Sequence, residues 1–335
     1  MHSRPYQKIT FRNTQAEVIN ASLPSMQNDQ LLVKARCSLI SPGTERAALT
    51  RLWDNAEFRH NPGYALAGDV IQIGGDVEGF SVGDRVISLV NHASLSLVSA
   101  EPWVTLRIPK NTSYEEATFL PLASVALHAI RRAQISFGEI FVIIGAGIIG
   151  QIALQLAKIH GAYKVIMIDL HNNRLELARS YGADLTINPN EIDPVAAVFE
   201  ATDEKGASVI LEAAGNPQVI PTAFKYATNG GRIICVGALE QPLTISLHEE
   251  FIRRELSLIA AFQPLCPTEE SLYWKWTQQA NRELLLRYFA SRKLRLEEML
   301  THHFPASDAP EVYERIKAGD PTMLGVILEW NQDNQ

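Results

Sequence analysis

Residues 140–157 read IFVIIGAGIIGQIALQLA and carry no charged side chain. An apolar run of that length has two physical solutions: a bilayer span, or a buried strand passing directly into a buried helix. Glycines at 145, 147 and 150, glutamines at 151 and 155, and a change of periodicity at the glycines select the second. The six residues Gly145-Ala146-Gly147-Ile148-Ile149-Gly150 form a GxGxxG turn that follows IFVII and opens the helical segment QIALQLAKIHG. In that setting the first glycine permits a tight turn and the second lets a pyrophosphate approach the main chain. The third lets the helix pack on the strand, and the helix N-terminus faces the phosphate charge.

The rhythm downstream fits that reading. KVIMIDL, DLTINP, ASVILEAAG and RIICVG are strand-like, and they alternate with the helical NNRLELARSYG, VAAVFEATDEKG and QVIPTAFKYATNGG. Strands alternating with helices give βαβ units and a parallel sheet, here of the Rossmann kind. Asp169 ends KVIMID about 20 residues beyond the glycine turn, where a carboxylate accepts from the adenosine ribose. A 2′-phosphate would be repelled there, so NAD is expected over NADP. Leu170 follows it. Arg174 could reach a phosphate, and is read as a helix-surface cation or a second ribose contact. Ala214, Val236 and Gly237, after the later strands, complete the expected cofactor contacts.

Residues 1–110 differ in texture. Short β-like stretches (QLLVKARCSLI, GDVIQIG, DRVISLV, LSLVSA, WVTLRIP) are separated by SPGT, NPG, IGGD and SVGD. This is the punctuation of an antiparallel barrel or sandwich. The pattern turns helical at 114–133. Helices are expected near QQANRELLLRYFASRKL and APEVYERIKAG, and a last strand at GVILEW. The 335 residues suit two domains. A net charge of −7 without a basic cluster argues against nucleic acid and acidic membranes. The N-terminus has no apolar signal region, and the three cysteines (Cys37, Cys235, Cys266) are dispersed. A cytoplasmic enzyme acting on a small molecule is the expectation.

The layout and its ordered segments resemble the medium-chain dehydrogenase/reductase family. PGYALAGDVIQIGGDVEGFSVGDRVI is similar to that family's PGHE…GDRV segment. FLPLASVALHAIRRA resembles its interdomain helix, EAAGNPQVI and GGRIICVG its later Rossmann strands, and LTHHFPASDAPEVYERIKAGDPTMLGVILEW its C-terminal ending. The resemblance implies a GroES-like β-barrel catalytic domain (1–118) and a Rossmann doubly wound parallel-sheet domain (119–257). A C-terminal return (258–335) would complete the first, in an α/β protein overall. It also implies a homodimer through the Rossmann edge strand, expected near RIICVG.

The departures from the family are as informative. Its zinc members bind the metal through a cysteine in a GICGSD-like stretch, a His-Glu pair after PG, and a later Glu or Cys. Here Ser41 stands in the first place, Tyr64-Ala65 in the second and Leu120 in the third. A structural-zinc lobe would need four close cysteines, and none lies between Arg85 and Pro109. Hydroxyl, phenol, methyl and isobutyl groups do not make a zinc site, so no zinc is expected. SLISPGTE most resembles a zinc-free branch that includes the bacteriochlorophyllide dehydrogenases.

The expected chemistry is hydride transfer between NAD and a secondary alcohol or ketone, with hydrogen-bond donors in place of the metal. Tyr64, Thr44, Ser41 and Glu45 are the candidates, with His92 as a loop imidazole within reach of the substrate. Trp53, Phe58, Trp103, Phe262, Trp274 and Trp276 suggest an aromatic lining. Two other readings remain: reduction of a conjugated C=C bond, as in enoyl and quinone reductases, and a non-catalytic nucleotide-binding protein.

Overall fold

The computed structural model describes residues 4–50, 60–237, 239, 241–272 and 274–330. Trp53 and Phe58 lie outside the described residues. The chain divides into two compact units, residues 1–121 with 267–335, and residues 122–266.

In the first unit, β1 (Pro5–Arg12) and β2 (Gln15–Ser22) form an antiparallel hairpin. The sequence reading did not resolve this hairpin. Its turn is Asn13-Thr14, both with positive φ (47° and 65°), without the glycine that usually marks such a turn. The other strands are β3 (Gln30–Ile40), β4 (Leu66–Ile73), β5 (Arg85–Ser88), β6 (Leu95–Ser99), β7 (Thr105–Arg107), β14 (Leu300–Pro305) and β15 (Gly325–Glu329). They make a seven-stranded sheet in the order β14-β15-β3-β4-β5-β7, with β6 also on β3. All pairings are antiparallel except β14 with β15. Among the described residues this unit carries the helices α1 (Pro42–Leu49), α2 (Tyr114–Ala117), α8 (Gln278–Ala290) and α9 (Ala309–Ala318). One core joins Ile9 and Phe11 of β1, Leu31 and Val33 of β3, and Val312, Tyr313 and Ile316 of α9.

The second unit begins within α3 (Leu120–Ala133), where Pro121 sits in the first turn and its missing N–H costs nothing. Its strands are β8 (Ile140–Ile144), β9 (Lys164–Ile168), β10 (Leu185–Ile187), β11 (Ala207–Glu212), β12 (Ala227–Cys235) and β13 (Ser257–Ala260). Four helices connect them: α4 (Ile148–His160), α5 (Asn172–Ser180), α6 (Pro194–Ala201) and α7 (Ile220–Tyr226). All strands are parallel, in the order β10-β9-β8-β11-β12-β13. The order reverses between β8 and β11, which puts a crevice at their carboxyl ends.

The fold class is therefore the expected one, a sheet-rich unit beside a doubly wound parallel sheet. Three details differ. The helix expected over 218–231 ends at Tyr226, and Ala227 already pairs with Ala207 in the sheet. RIICVG is bonded on both sides, so the edge strand is β13. The expected boundary at 257 falls short of the division at 266/267, because Ser257–Ala260 extends the parallel sheet.

Candidate functional site

Two sets of chemically capable residues emerge, one in each unit. In the first, β3 ends at Ile40 and Ser41 is the N-cap of α1. Pro42 opens the helix, as its fixed φ favours. The Ser41 hydroxyl makes no capping bond. It accepts instead from the Tyr64 phenol at 2.7 Å. The Thr44 hydroxyl also bonds to Tyr64. Three hydroxyls from SPGT and NPGY thus meet at one place. Burial pushes the Tyr64 phenol up to about 12, against the pull of the Ser41 and Thr44 hydrogen bonds, and the charge of Glu45 adds to the rise. Tyr64 is therefore a neutral donor and acceptor throughout the ordinary pH range.

Behind this trio lies a buried polar chain. Glu45 has no exposed surface. Its Oε1 accepts from the Ser41 amide at 2.7 Å. Its Oε2 accepts from the Tyr313 hydroxyl and lies 3.1 Å from His92 Nε2. His92 Nδ1 lies 2.8 Å from Ser38 Oγ, which takes the indole N–H of Trp330 at 3.0 Å. An indole N–H can only donate. The Glu45 carboxylate only accepts, so His92 Nε2 carries a proton directed at it.

This arrangement corrects two expectations. His92 is fully buried, with its ring nitrogens engaged by Ser38 and Glu45 rather than free on a loop. Glu45 has both oxygens engaged, and its link to the hydroxyl trio runs through an amide N–H that cannot relay a proton. Both hold the 41–45 turn in place. The Pro-Gly corner before Tyr64 has the same origin. Gly63 has φ +91°, and a Cβ there would sit 2.5 Å from His92 Cδ2. The His92 amide donates to Pro62 O at 3.0 Å, which closes the corner onto the ring.

Zinc does not fit the first unit's residues. Ala65 and Leu120 are buried and offer no donor atom, and Ser41 and Tyr64 are bonded to each other. Among the described residues no group of three or more His, Cys, Asp or Glu could hold a metal.

In the second unit the glycine turn links β8 to α4, and its three glycines do different work. A Cβ on Gly145 (φ +102°) would lie 2.7 Å from Ala214 N, so this turn rests on the loop after β11. A Cβ on Gly150 would lie 1.9 Å from Gly145 O, so the helix packs against the turn itself. A Cβ on Gly147 would meet nothing within 4 Å. The protein does not need that glycine for its own packing, and the space in front of it suits a phosphate. Ile148 is buried, so it offers its main chain, whereas Ile149 is half-buried.

Asp169 accepts from Ala146 N at 2.7 Å and from His171 N at 2.8 Å, one bond on each oxygen. Each oxygen keeps a lone pair for a ribose hydroxyl. Leu170 is 56% exposed beside it. Arg174 has a buried Nε with no partner. Burial lowers its pKa, against the pull of Asp169. Ala214 N is held by Glu212 Oε1 at 2.9 Å and Val236 N by Glu212 O at 3.1 Å. A nicotinamide dinucleotide fits these residues.

Known proteins bear on both sets. The family of zinc-binding dehydrogenases matches residues 149–278. A D-guloside 3-dehydrogenase of Escherichia coli is 29% identical over 254 residues, 75% of this chain and 72% of that protein. An L-threonine 3-dehydrogenase of Pyrococcus horikoshii is 28% identical over 352 residues, covering 94% and 95%. Among solved structures, galactitol-1-phosphate dehydrogenase from Escherichia coli superposes with a TM-score of 0.81 at 24% identity, over 96% of this chain and 99% of that one. The chain is thus similar to zinc-binding dehydrogenases over part of its length, and its fold is that of a solved dehydrogenase. No helix among the described residues is long and apolar enough to cross a membrane.

Two variants check this geometry. Gly150→Ala is expected to lower stability by about 1–3 kcal/mol through overpacking. Gly147→Ala is expected to leave stability unchanged and to weaken NADH binding. Urea unfolding and NADH fluorescence titration of both proteins separate the two effects. Tyr313→Phe removes one donor from the buried Glu45 carboxylate and is expected to cost about 1.5–3 kcal/mol, read as a fall in the urea midpoint at constant slope.

Proposed function

We propose that this protein is an NAD-dependent oxidoreductase that moves a hydride between the cofactor and a secondary alcohol or ketone of a small polar metabolite, without zinc. The observation that carries the reading is the hydrogen-bonded Tyr64–Ser41 pair, standing where the resembling family places metal ligands. The relatives support the substrate class. A D-guloside 3-dehydrogenase, an L-threonine 3-dehydrogenase and a D-xylulose reductase are each named for a hydroxyl-bearing substrate or its ketone.

NAD, when bound, supplies the hydride acceptor. The chain supplies the rest. Gly147 leaves room for the pyrophosphate, the amides opening α4 face its charge, and Asp169 takes the ribose hydroxyls. The substrate oxygen bonds to the Tyr64 phenol. As the hydride leaves, the alcohol proton passes to the Tyr64 oxygen, the phenol proton passes to Ser41, and the Ser41 proton is released to solvent water, so each hydroxyl keeps one proton. In the reverse direction the same phenol donates to the carbonyl oxygen. A donor aimed at developing negative charge contributes on the order of 3 kcal/mol.

Tyr64→Phe keeps the ring and removes the hydroxyl. Hydride transfer is expected to fall about 100-fold, measured in single turnover with NAD and a panel of polyols, sugars and hydroxy amino acids. Unchanged transfer removes Tyr64 from the mechanism. Metal analysis of the same preparation, purified without chelator, is expected to find no stoichiometric zinc. One tightly held zinc per chain overturns the metal-free reading.

The negative charge of Asp169 favours NADH over NADPH, although the unpartnered Nε of Arg174 is the feature a 2′-phosphate would use. Specificity constants for the two cofactors decide. NADH is expected to lead, and a lead for NADPH overturns the role given to Asp169. For assembly, β13 is the strand through which two copies would pair.

A further inference from the structure

Glu212, the last residue of β11, is fully buried at the carboxyl edge of the parallel sheet. Its Oε1 holds the following turn, accepting from Ala214 N at 2.9 Å and Asn216 N at 3.2 Å. That turn is the surface on which Gly145 rests, since a Gly145 Cβ would meet Ala213 and Ala214. The other oxygen, Oε2, is buried and makes no hydrogen bond of good geometry, although the Gly215 and Gly237 amides are near enough to the carboxyl to lower its pKa. Buried carboxylate oxygens are rarely left bare, because nothing replaces the lost water.

The nearest main chain to Oε2 is Gly237, in the loop after β12. A Cβ on Gly237 would lie 2.7 Å from Oε2, and 2.6 Å from both Gly215 Cα and Gly215 N. Only glycine lets this loop lie so close. The Gly237 amide is directed at Glu212 O at 3.4 Å, the long limit of a hydrogen bond. One carboxylate therefore stands where three loops meet: the glycine turn after β8, the turn 213–216, and the loop after β12. These loops border the crevice where the strand order reverses.

We propose that Glu212 is a positioning residue for the dinucleotide: when the nucleotide seats, the weak approach of Gly237 N–H to Oε2 tightens and Val236–Gly237 are drawn against the other two loops. The proposal rests on the nicotinamide-dinucleotide reading of the second unit. Glu212 touches no ligand; it acts through the loops it ties.

The clasp needs an ionised carboxylate, because a protonated Oε2 does not accept the amide as well. Burial raises the Glu212 carboxyl above the usual carboxylate range, against the pull of the surrounding amides. Nucleotide affinity therefore falls as pH drops through this group. The titratable neighbour is Cys235 on β12, whose thiol burial pushes up to about 11, with Glu212 adding to the rise; it stays neutral in that window. Ala213, Ala214, Gly215 and Asn216 on one side, and Gly145 and Ala146 on the other, carry no titratable side chain.

The test is NADH binding by the full chain, followed by nucleotide fluorescence from mildly alkaline to mildly acid solution. Glu212→Gln keeps an acceptor for Ala214 and Asn216 but turns an NH2 toward Gly237. It is expected to weaken NADH about tenfold in alkaline solution, the scale of a lost hydrogen bond to a charged group, and to flatten the pH profile. Wild type is expected to approach the variant's affinity as pH falls. Gly237→Ala, which pushes the loop away and leaves Glu212 intact, is expected to weaken NADH similarly and serves if the first variant does not fold. Equal affinities and equal pH profiles for wild type and Glu212→Gln overturn the proposal. Absence of NADH binding by wild type at every pH overturns the cofactor reading itself, and this proposal with it.

Discussion

The first unit turns on one buried carboxylate. Glu45 has no water to solvate it, so its charge is met by donors from three parts of the chain: the Ser41 amide beside it, the His92 ring, and the Tyr313 hydroxyl 268 positions away. Removing one partner from such a group costs far more than the pair is worth in isolation. The donors must therefore arrive together, and the 41–45 turn becomes as fixed as the sheet it leaves. Trp330 extends the constraint by donating to Ser38, which is bonded to His92. The N-terminal strands and the C-terminal return are tied to one polar cluster.

The second unit repeats the device with different parts. Asp169 follows β9 and Glu212 ends β11, and each carboxylate accepts from main-chain amides of neighbouring loops. A loop held this way is shaped by a carboxylate while its own side chains stay small: Gly145, Ala146, Gly147 on one side, Ala213, Ala214, Gly215 on the other. That leaves bare backbone at the crevice, the surface a dinucleotide needs.

What the sequence disclosed follows from how local the physics is. The glycine turn, its strand and helix, and Asp169 are one contiguous stretch, and their placement was legible. The grouping of Ser41, Thr44 and Tyr64 was legible too, because SPGT and NPGY each sit in a recognisable frame. The β1–β2 hairpin was not, since Asn13-Thr14 lacks the glycine that usually marks a two-residue turn. Strand β13 was hidden by its length, four residues after a charged stretch. The partners of His92 were out of reach altogether: Ser38, Glu45, Tyr313 and Trp330 are ordinary residues in sequence and meet only through sheet register and helix docking. NPG was readable as a turn, but only the fold shows that its glycine lies against an imidazole ring.

The electrostatics of the hydroxyl trio separates this site from a metal centre. A zinc ion would put positive charge beside the substrate oxygen and draw its proton off. Here the nearest fixed charge is negative, and it acts together with burial to hold the Tyr64 proton in place, up to about 12. A site of that sign does not stabilise a free alkoxide by field alone. On the proposed reading it works by never letting one form: the hydride and the proton leave the alcohol in concert, the proton passing to Tyr64 as the phenol proton moves to Ser41 and the Ser41 proton is released to solvent water. The rigidity of the 41–45 turn then has a chemical purpose. A proton shared among Tyr64, Ser41 and Thr44 needs hydroxyl spacings held to a few tenths of an ångström, and the buried Glu45 network maintains the position of Ser41 without competing for that proton.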